Sequence, residues 1–198
     1  MADIPVERTV VTLDDLMKTS ARVEVINGEI VEMAAVGGLH HVVNGNVYRP
    51  LDAVVQEHNL GALFMDGLLF LMNEHSSHLR GSFAPDISFI RRENIPASWN
   101  LLLPFPGVPD FAVEVISPGD DAEDVQTKIS TYLDKGTEQV WVIYPVTREV
   151  YQYRHGERMV RIYRGSEQID TESLFPGLVL TLDIIFKLPP WAENLNMG

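Results

Sequence analysis

Two apolar runs in this chain are each interrupted by a single carboxylate, and that pattern limits the fold more than any other feature. They are APDISFI, residues 84–90, which carries Asp86, and FAVEVIS, residues 111–117, which carries Glu114. A nearly continuous apolar run reads as a strand covered on both faces, the environment of a central strand in an α/β sheet. Side chains alternate across a strand, so Asp86 points away from Ile87 and Phe89, and Glu114 away from Val113 and Val115. An ionised carboxylate so placed is costly unless a cation, a donor or water meets it. Two converging carboxylates with a backbone carbonyl make a hard oxygen site suited to Mg²⁺ or Mn²⁺. The spacing is also met by two acids at strand ends, each in its own local salt bridge.

The flanking segments supply the rest of an α/β domain. TLDDLMKT, residues 12–19, predicts a short helix with Thr12 as N-cap and Asp15 three residues on. In RVEVINGEIVEM, residues 22–33, Asn27-Gly28 sits between two apolar-rich runs, the signature of a two-residue hairpin turn. Ile26 then opposes Glu29 and Glu24 opposes Val31, which puts Glu24 and Glu29 on one face. Residues 39–58 carry a helical apolar stripe of Leu39, Val43, Val47, Leu51, Val54 and Val55, with Pro50 expected to kink or break it. Residues 61–90 predict two or three strands around a polar loop, NEHSSHLRGS, and the proline-rich stretch 93–109 an irregular excursion.

Beyond Glu114, SPGDD is a turn and DAEDVQTKISTYLDKG a helix ending at Gly136. EQVWVIYP, residues 138–145, is a second buried strand. Residues 147–164 alternate and turn at His155-Gly156 as a solvated hairpin, which could add an edge strand to a second copy in a homodimer. LFPGLVLTLDIIF, residues 174–186, is expected to close the chain as a strand and a helical turn. There is no repeat and no linker, so the whole chain reads as a single domain.

On the helix after Glu114, Asp124, Lys128 and Tyr132 recur at four-residue spacing and share a face. A lysine there could reach the Glu114 cleft, where its ammonium would stabilise a hydroxide nucleophile or a pentacovalent phosphate. The alternative is an exposed Asp124–Lys128 pair of small energetic weight. Glu74, His75 and His78 have spacing that suits a metal, but in a loop-like segment they read equally as solvated side chains. His40 and His41, adjacent on a helix, project about 100° apart and would not chelate one ion together.

The chain has 198 residues, no cysteine and a net charge of −13. Disulfides and thiolate metal sites are excluded. MADIPVERTVVTL lacks a basic stretch followed by an apolar one, and no apolar run is long enough to cross a bilayer, so a cytoplasmic protein is expected. The charge repels polyphosphate at long range, and the arginines (Arg91–Arg92, Arg154 to Arg164) form no dense stripe.

The order of EVINGEIVEM, HHVVNGNVYRPL, APDISFI, DFAVEVISP, the D-x3-K-x3-Y-x3-G helix, EQVWVIYP and LFPGLVL resembles the Uma-two family, restriction-endonuclease-like proteins of the PD-(D/E)XK nuclease superfamily. The likeness spans about residues 12–186. It implies a restriction-endonuclease-like α/β core, a mixed β-sheet flanked by helices, with an N-terminal and a C-terminal hairpin added. It implies a Mg²⁺- or Mn²⁺-dependent endonuclease acting on nucleic acid, DNA before RNA. The net charge and the lack of a basic stripe leave a catalytically weak or inactive nuclease-like fold used for binding or assembly as the alternative. Asp86 and Glu114 would be the metal ligands, helped by the Val115 carbonyl. The lysine of the (D/E)XK element falls at Ile116, and the family likeness implies that Lys128 replaces it. His40 matches a histidine that would contact phosphate or water, Glu24 and Glu29 match the hairpin glutamates, and Ala84 stands where an arginine is expected before PD.

Overall fold

The computed structural model describes residues 11–72, 79 and 81–192. Helix α1 (Leu13–Lys18) begins at Thr12 with a capping box: the Thr12 hydroxyl accepts from the Asp15 amide and the Asp15 carboxylate from the Thr12 amide. Strands β1 (Val23–Ile26) and β2 (Glu29–Glu32) pair with Ile26 opposite Glu29 and Glu24 opposite Val31. Asn27 and Gly28 take φ of 54° and 86°, the positive values a tight hairpin turn demands.

Helix α2 (Gly38–His58) runs through Pro50 without interruption. The missing amide there is outweighed by the apolar face: Val43, Val47, Leu51 and Val55 are all buried in one cluster. Among the described residues, the stretch expected to hold two or three strands holds four, and its first run divides. β3 (Gly61–Met65) and β4 (Phe70–Leu71) belong to different sheets, separated where Asp66 and Gly67 both adopt positive φ. β5 (Ser82–Phe83), β6 (Ile87–Arg91) and β7 (Phe111–Val115) follow. Next come α3 (Ala122–Asp134), β8 (Gln139–Tyr144), β9 (Glu149–Arg154), β10 (Arg161–Tyr163) and α4 (Leu182–Ile185).

A six-stranded mixed sheet has the order β10-β9-β8-β7-β6-β3, and only β7 and β8, joined through α3, are parallel. A second, four-stranded sheet has the order β2-β1-β5-β4. The N-terminal hairpin is therefore not an appendage: Val25 of β1 pairs with Ser82 of β5, which ties it to the chain just before Asp86. The alternation of β7 and β8 divides the core. Val113, Val115, Trp141 and Ile143 pack with α2 and the C-terminal segment. Ala112, Val140 and Val142 pack with Ile129 and Tyr132 of α3 and with Ile26, Phe70 and Phe83 of the smaller sheet. Glu114, of the same parity as Ala112, faces α3.

Two other expectations change. The segment 147–164 is not merely solvated, because Val150, Gln152 and Tyr163 are buried and β9 is an inner strand of the large sheet. Residues 174–180 form no strand. The Pro176-Gly177 turn interrupts them, and a single bridge between Gln168 and Thr181 remains, with Leu178 and Leu180 turned into the core. Among the described residues, no helix is long and apolar enough to cross a membrane.

Candidate active site

Asp86 lies one residue before β6, and Glu114 in β7 beside it. Both Asp86 oxygens have partners. The Val115 amide donates to Oδ2 at 2.7 Å, and His40 Nε2 of α2 lies 3.2 Å from Oδ1. The Asp86 carbonyl accepts from the Asp66 amide, and Asn44 of α2 donates to it at 3.4 Å. One acid is thus fixed by three elements. His40 is buried, with Nδ1 lacking a partner among the described residues. Burial acts to push the imidazole down, but the hydrogen bond and charge of Asp86, with Asp120 and Asp66, carry it above the ordinary histidine value.

Glu114 is only 8% exposed. The Tyr132 hydroxyl donates to its Oε1 at 2.9 Å, and Lys128 Nζ lies 3.6 Å from its Oε2. Burial pushes the Glu114 carboxyl up to about 8; Lys128 and Tyr132 oppose that, while the charges of Glu24 and Asp86 add to it. A cation in the cleft acts in the same direction as Lys128 already does. Lys128 itself remains a fixed ammonium. Burial disfavours its charge, but Glu114 and Glu24 overcome this and raise it above the ordinary lysine value.

Lys128 makes its shortest contact to Glu24, at 2.6 Å from Oε2. Glu24 is 3% exposed, and its other oxygen accepts from the Ala84 amide at 2.8 Å. An acid of the hairpin, an acid of the central sheet and a lysine of α3 therefore share one cleft. Its volume is about 220 Å³, and its lining also includes Glu32, His40, Asp86, Val115 and Ile116. Asp120, Asp121 and Asp124 border it as well. Asp120 accepts from the Ser117 amide at 2.7 Å, and Asp121 caps α3 through the Glu123 and Asp124 amides.

The donor set fits a hard divalent cation. Asp86 and Glu114 line the cleft together with Val115, and both carboxylates offer oxygen donors. Among the described residues, no group of three or more His, Asp or Glu side chains could hold a metal ion alone. Such a site leaves positions to water and substrate, which is how Mg²⁺ is usually bound.

Residues 10–183 match the family model Uma2, described as "Putative restriction endonuclease". The chain belongs to the Uma2 family. No curated protein matches it. Among solved structures, it is similar to a chain described as a putative nuclease belonging to DUF820 from Anabaena variabilis ATCC 29413. That similarity has a TM-score of 0.75 at 23% identity and covers 89% of this chain and 97% of the other. The fold is that of the restriction-endonuclease-like nucleases, with two sheets flanked by helices.

In this Uma2 chain, the residues singled out by sequence separate into two groups. Asp86, Glu114, Lys128, His40, Glu24 and the Val115 backbone line one cleft. Glu29 does not: it follows the Asn27-Gly28 turn directly and is exposed at the hairpin tip. His40 touches Asp86 and is 5% exposed, which leaves it facing a carboxylate instead of solvent. The Asp124–Lys128 pair is absent from the ion pairs among the described residues, because Lys128 turns inward to two glutamates. Ile116 lines the cleft without a charge, so the ammonium there comes from α3. Glu74, His75 and His78 lie outside the described residues. Tyr132 was visible in the sequence as the residue four beyond Lys128, but its bond to Glu114 required the packing of α3 on β7.

Proposed function

We propose that this chain is a divalent-metal-dependent nuclease that hydrolyses phosphodiester bonds of nucleic acid, DNA in the first instance. The observation that supports this best is the meeting of Asp86, Glu114 and Lys128, from a strand entrance, a central strand and a helix, in one cleft. Asp86, Glu114 and the Val115 carbonyl would hold Mg²⁺, or Mn²⁺ in its place. When bound, the ion supplies Lewis-acid chemistry, making water more acidic and neutralising charge on phosphate.

The protein's own groups do the positioning. His40 and the Val115 amide fix the Asp86 carboxylate, and the Tyr132 hydroxyl fixes that of Glu114. The Lys128 ammonium offers charge to the phosphoryl oxygens as they become more negative in the transition state. Low exposure around Glu114 and Lys128 strengthens that interaction relative to water. A net charge of −13 works against polyanion binding at long range, and a cation held by Asp86 and Glu114 would offset it only locally.

The test is incubation of purified protein with Mg²⁺ or Mn²⁺ and plasmid, DNA oligonucleotide and RNA substrates. Wild type cleaves, and Asp86→Ala and Glu114→Ala do not. Cleavage that survives either substitution sinks the assignment. A second reading, a nuclease-like fold used for binding without catalysis, is favoured by one observation: Lys128 lies between two glutamates and has its charge already matched. Calorimetric titration in which neither Mg²⁺ nor Mn²⁺ binds would support that reading.

A further inference from the structure

We infer that Glu24, on the N-terminal hairpin, is the positioning residue that sets where the Lys128 ammonium sits in the cleft. This rests on the nuclease reading for its catalytic consequence, but not for its structural content.

The geometry is asymmetric. Lys128 Nζ is 2.6 Å from Glu24 Oε2 and 3.6 Å from Glu114 Oε2, so the hydrogen-bonding arm belongs to Glu24 and Glu114 stands farther off. A lysine side chain has four rotatable carbons and no preferred direction of its own. Its direction must come from what it touches. Glu24 can impose one because it is itself held: its side chain is 4% exposed, and its second oxygen accepts the Ala84 amide at 2.8 Å. Ala84 is two residues before Asp86, and Ser82, two residues before Ala84, pairs with Val25, next to Glu24. The chain leading into the acid-bearing strand therefore anchors the glutamate that anchors the lysine.

If Glu24 were absent, Lys128 would keep only Glu114, 3.6 Å away, and its ammonium would no longer be fixed in the cleft. Glu24 thus holds the ammonium at one place beside the Glu114 carboxylate. It acts through Lys128, not on the reacting atoms, and it is not a ligand of the ion.

Glu24→Gln, close to isosteric, tests this in three readouts. In wild type and Glu24→Gln, acetylation of each lysine by acetic anhydride is followed by peptide mass spectrometry. Lys128 should be protected in wild type and react severalfold faster in the variant, while Lys18, with its side chain 69% exposed, stays constant. Calorimetry with Mn²⁺ alone should give the Asp86→Asn variant a clear loss of binding and Glu24→Gln a much smaller one. In cleavage assays, Glu24→Gln should lower kcat roughly 10- to 100-fold at unchanged KM, and should have no further effect in a Lys128→Met background.

Glu24→Asp, which keeps the charge on a shorter arm, should give intermediate Lys128 protection and serves if Glu24→Gln does not fold. Unchanged Lys128 acetylation in both variants overturns the inference. So does loss of Mn²⁺ binding equal to that of Asp86→Asn, which would make Glu24 a ligand, and so does an undiminished effect of Glu24→Gln in the Lys128→Met background. Should wild type cleave nothing, the nuclease reading fails by itself, and the acetylation experiment still decides the role of Glu24.

Discussion

The Val115 amide donates to Asp86 Oδ2 across 2.7 Å, so the residue after Glu114 holds the other acid of the cleft. The ladder of β6 and β7, in which Ile87 pairs with Val113, rigidly sets the backbone spacing of the two acids. This rigidity is what a preorganised site requires.

Asp86→Asn should preserve much of this arrangement, because the amide oxygen can still accept from Val115. Asp86→Ala leaves the buried Val115 donor without an acceptor, at a cost of about 1–3 kcal/mol. Each kcal/mol is worth roughly 2–4 °C of Tm in a chain of this size. Thermal melting should therefore separate the two variants, with Asp86→Ala clearly lower, while cleavage assays find both inactive.

Glu114 makes stability depend on pH. Its carboxyl is held at about 8 in the fold against an ordinary 4.5, so between these values the folded state keeps a proton that the unfolded chain releases. The stabilising contribution is full below the unfolded value and is lost as pH rises toward the folded one. Glu114→Gln cannot lose that proton. It should melt close to wild type near pH 4.5 and above it near pH 8, with the gap widening as pH rises between the two. Calorimetric melting across this range checks the sign. His40, also raised, loses its contribution in the same direction in both proteins and so cancels in the comparison.

Much of this site was legible in the sequence, and the remainder was not for definable reasons. Asp86 and Glu114 were conspicuous because a carboxylate is out of place in an apolar strand. The register placing Glu24 opposite Val31 followed from Asn27-Gly28 alone. That Glu24 would be buried did not, because it depends on pairing between Val25 and Ser82 through a two-residue strand too short to carry a pattern. Glu29 shares a strand face with Glu24 but not its environment, since face is a local property and burial is not. The four-residue spacing of Lys128 and Tyr132 gave a shared helix face, and only the β7-α3-β8 crossover says which acid they meet.

Tyr132→Phe removes the donor to Glu114 Oε1 inside the core. The stability cost should be about 1–3 kcal/mol, since a buried oxygen is left without its partner. Activity should fall roughly 10- to 100-fold as Glu114 loses its orientation. Parallel melting and cleavage measurements test both parts; a variant as active as wild type would remove Tyr132 from the site.

Pro50 sits inside α2 and interrupts no helix, but it lacks an amide donor for the helical ladder. Pro50→Ala should therefore raise Tm by roughly 2–4 °C, allowing for the greater freedom of the unfolded chain without proline. Activity should not change, since Pro50 does not line the cleft.

The central claim, that Asp86 and Glu114 jointly hold a divalent cation, is tested most directly by anomalous diffraction from crystals soaked in Mn²⁺. The account predicts one strong peak within ligand distance, about 2.0–2.2 Å, of carboxylate oxygens of both residues. A peak confined to Asp120, Asp121 and Asp124 at the cleft mouth, or no peak near Asp86 and Glu114, would contradict it.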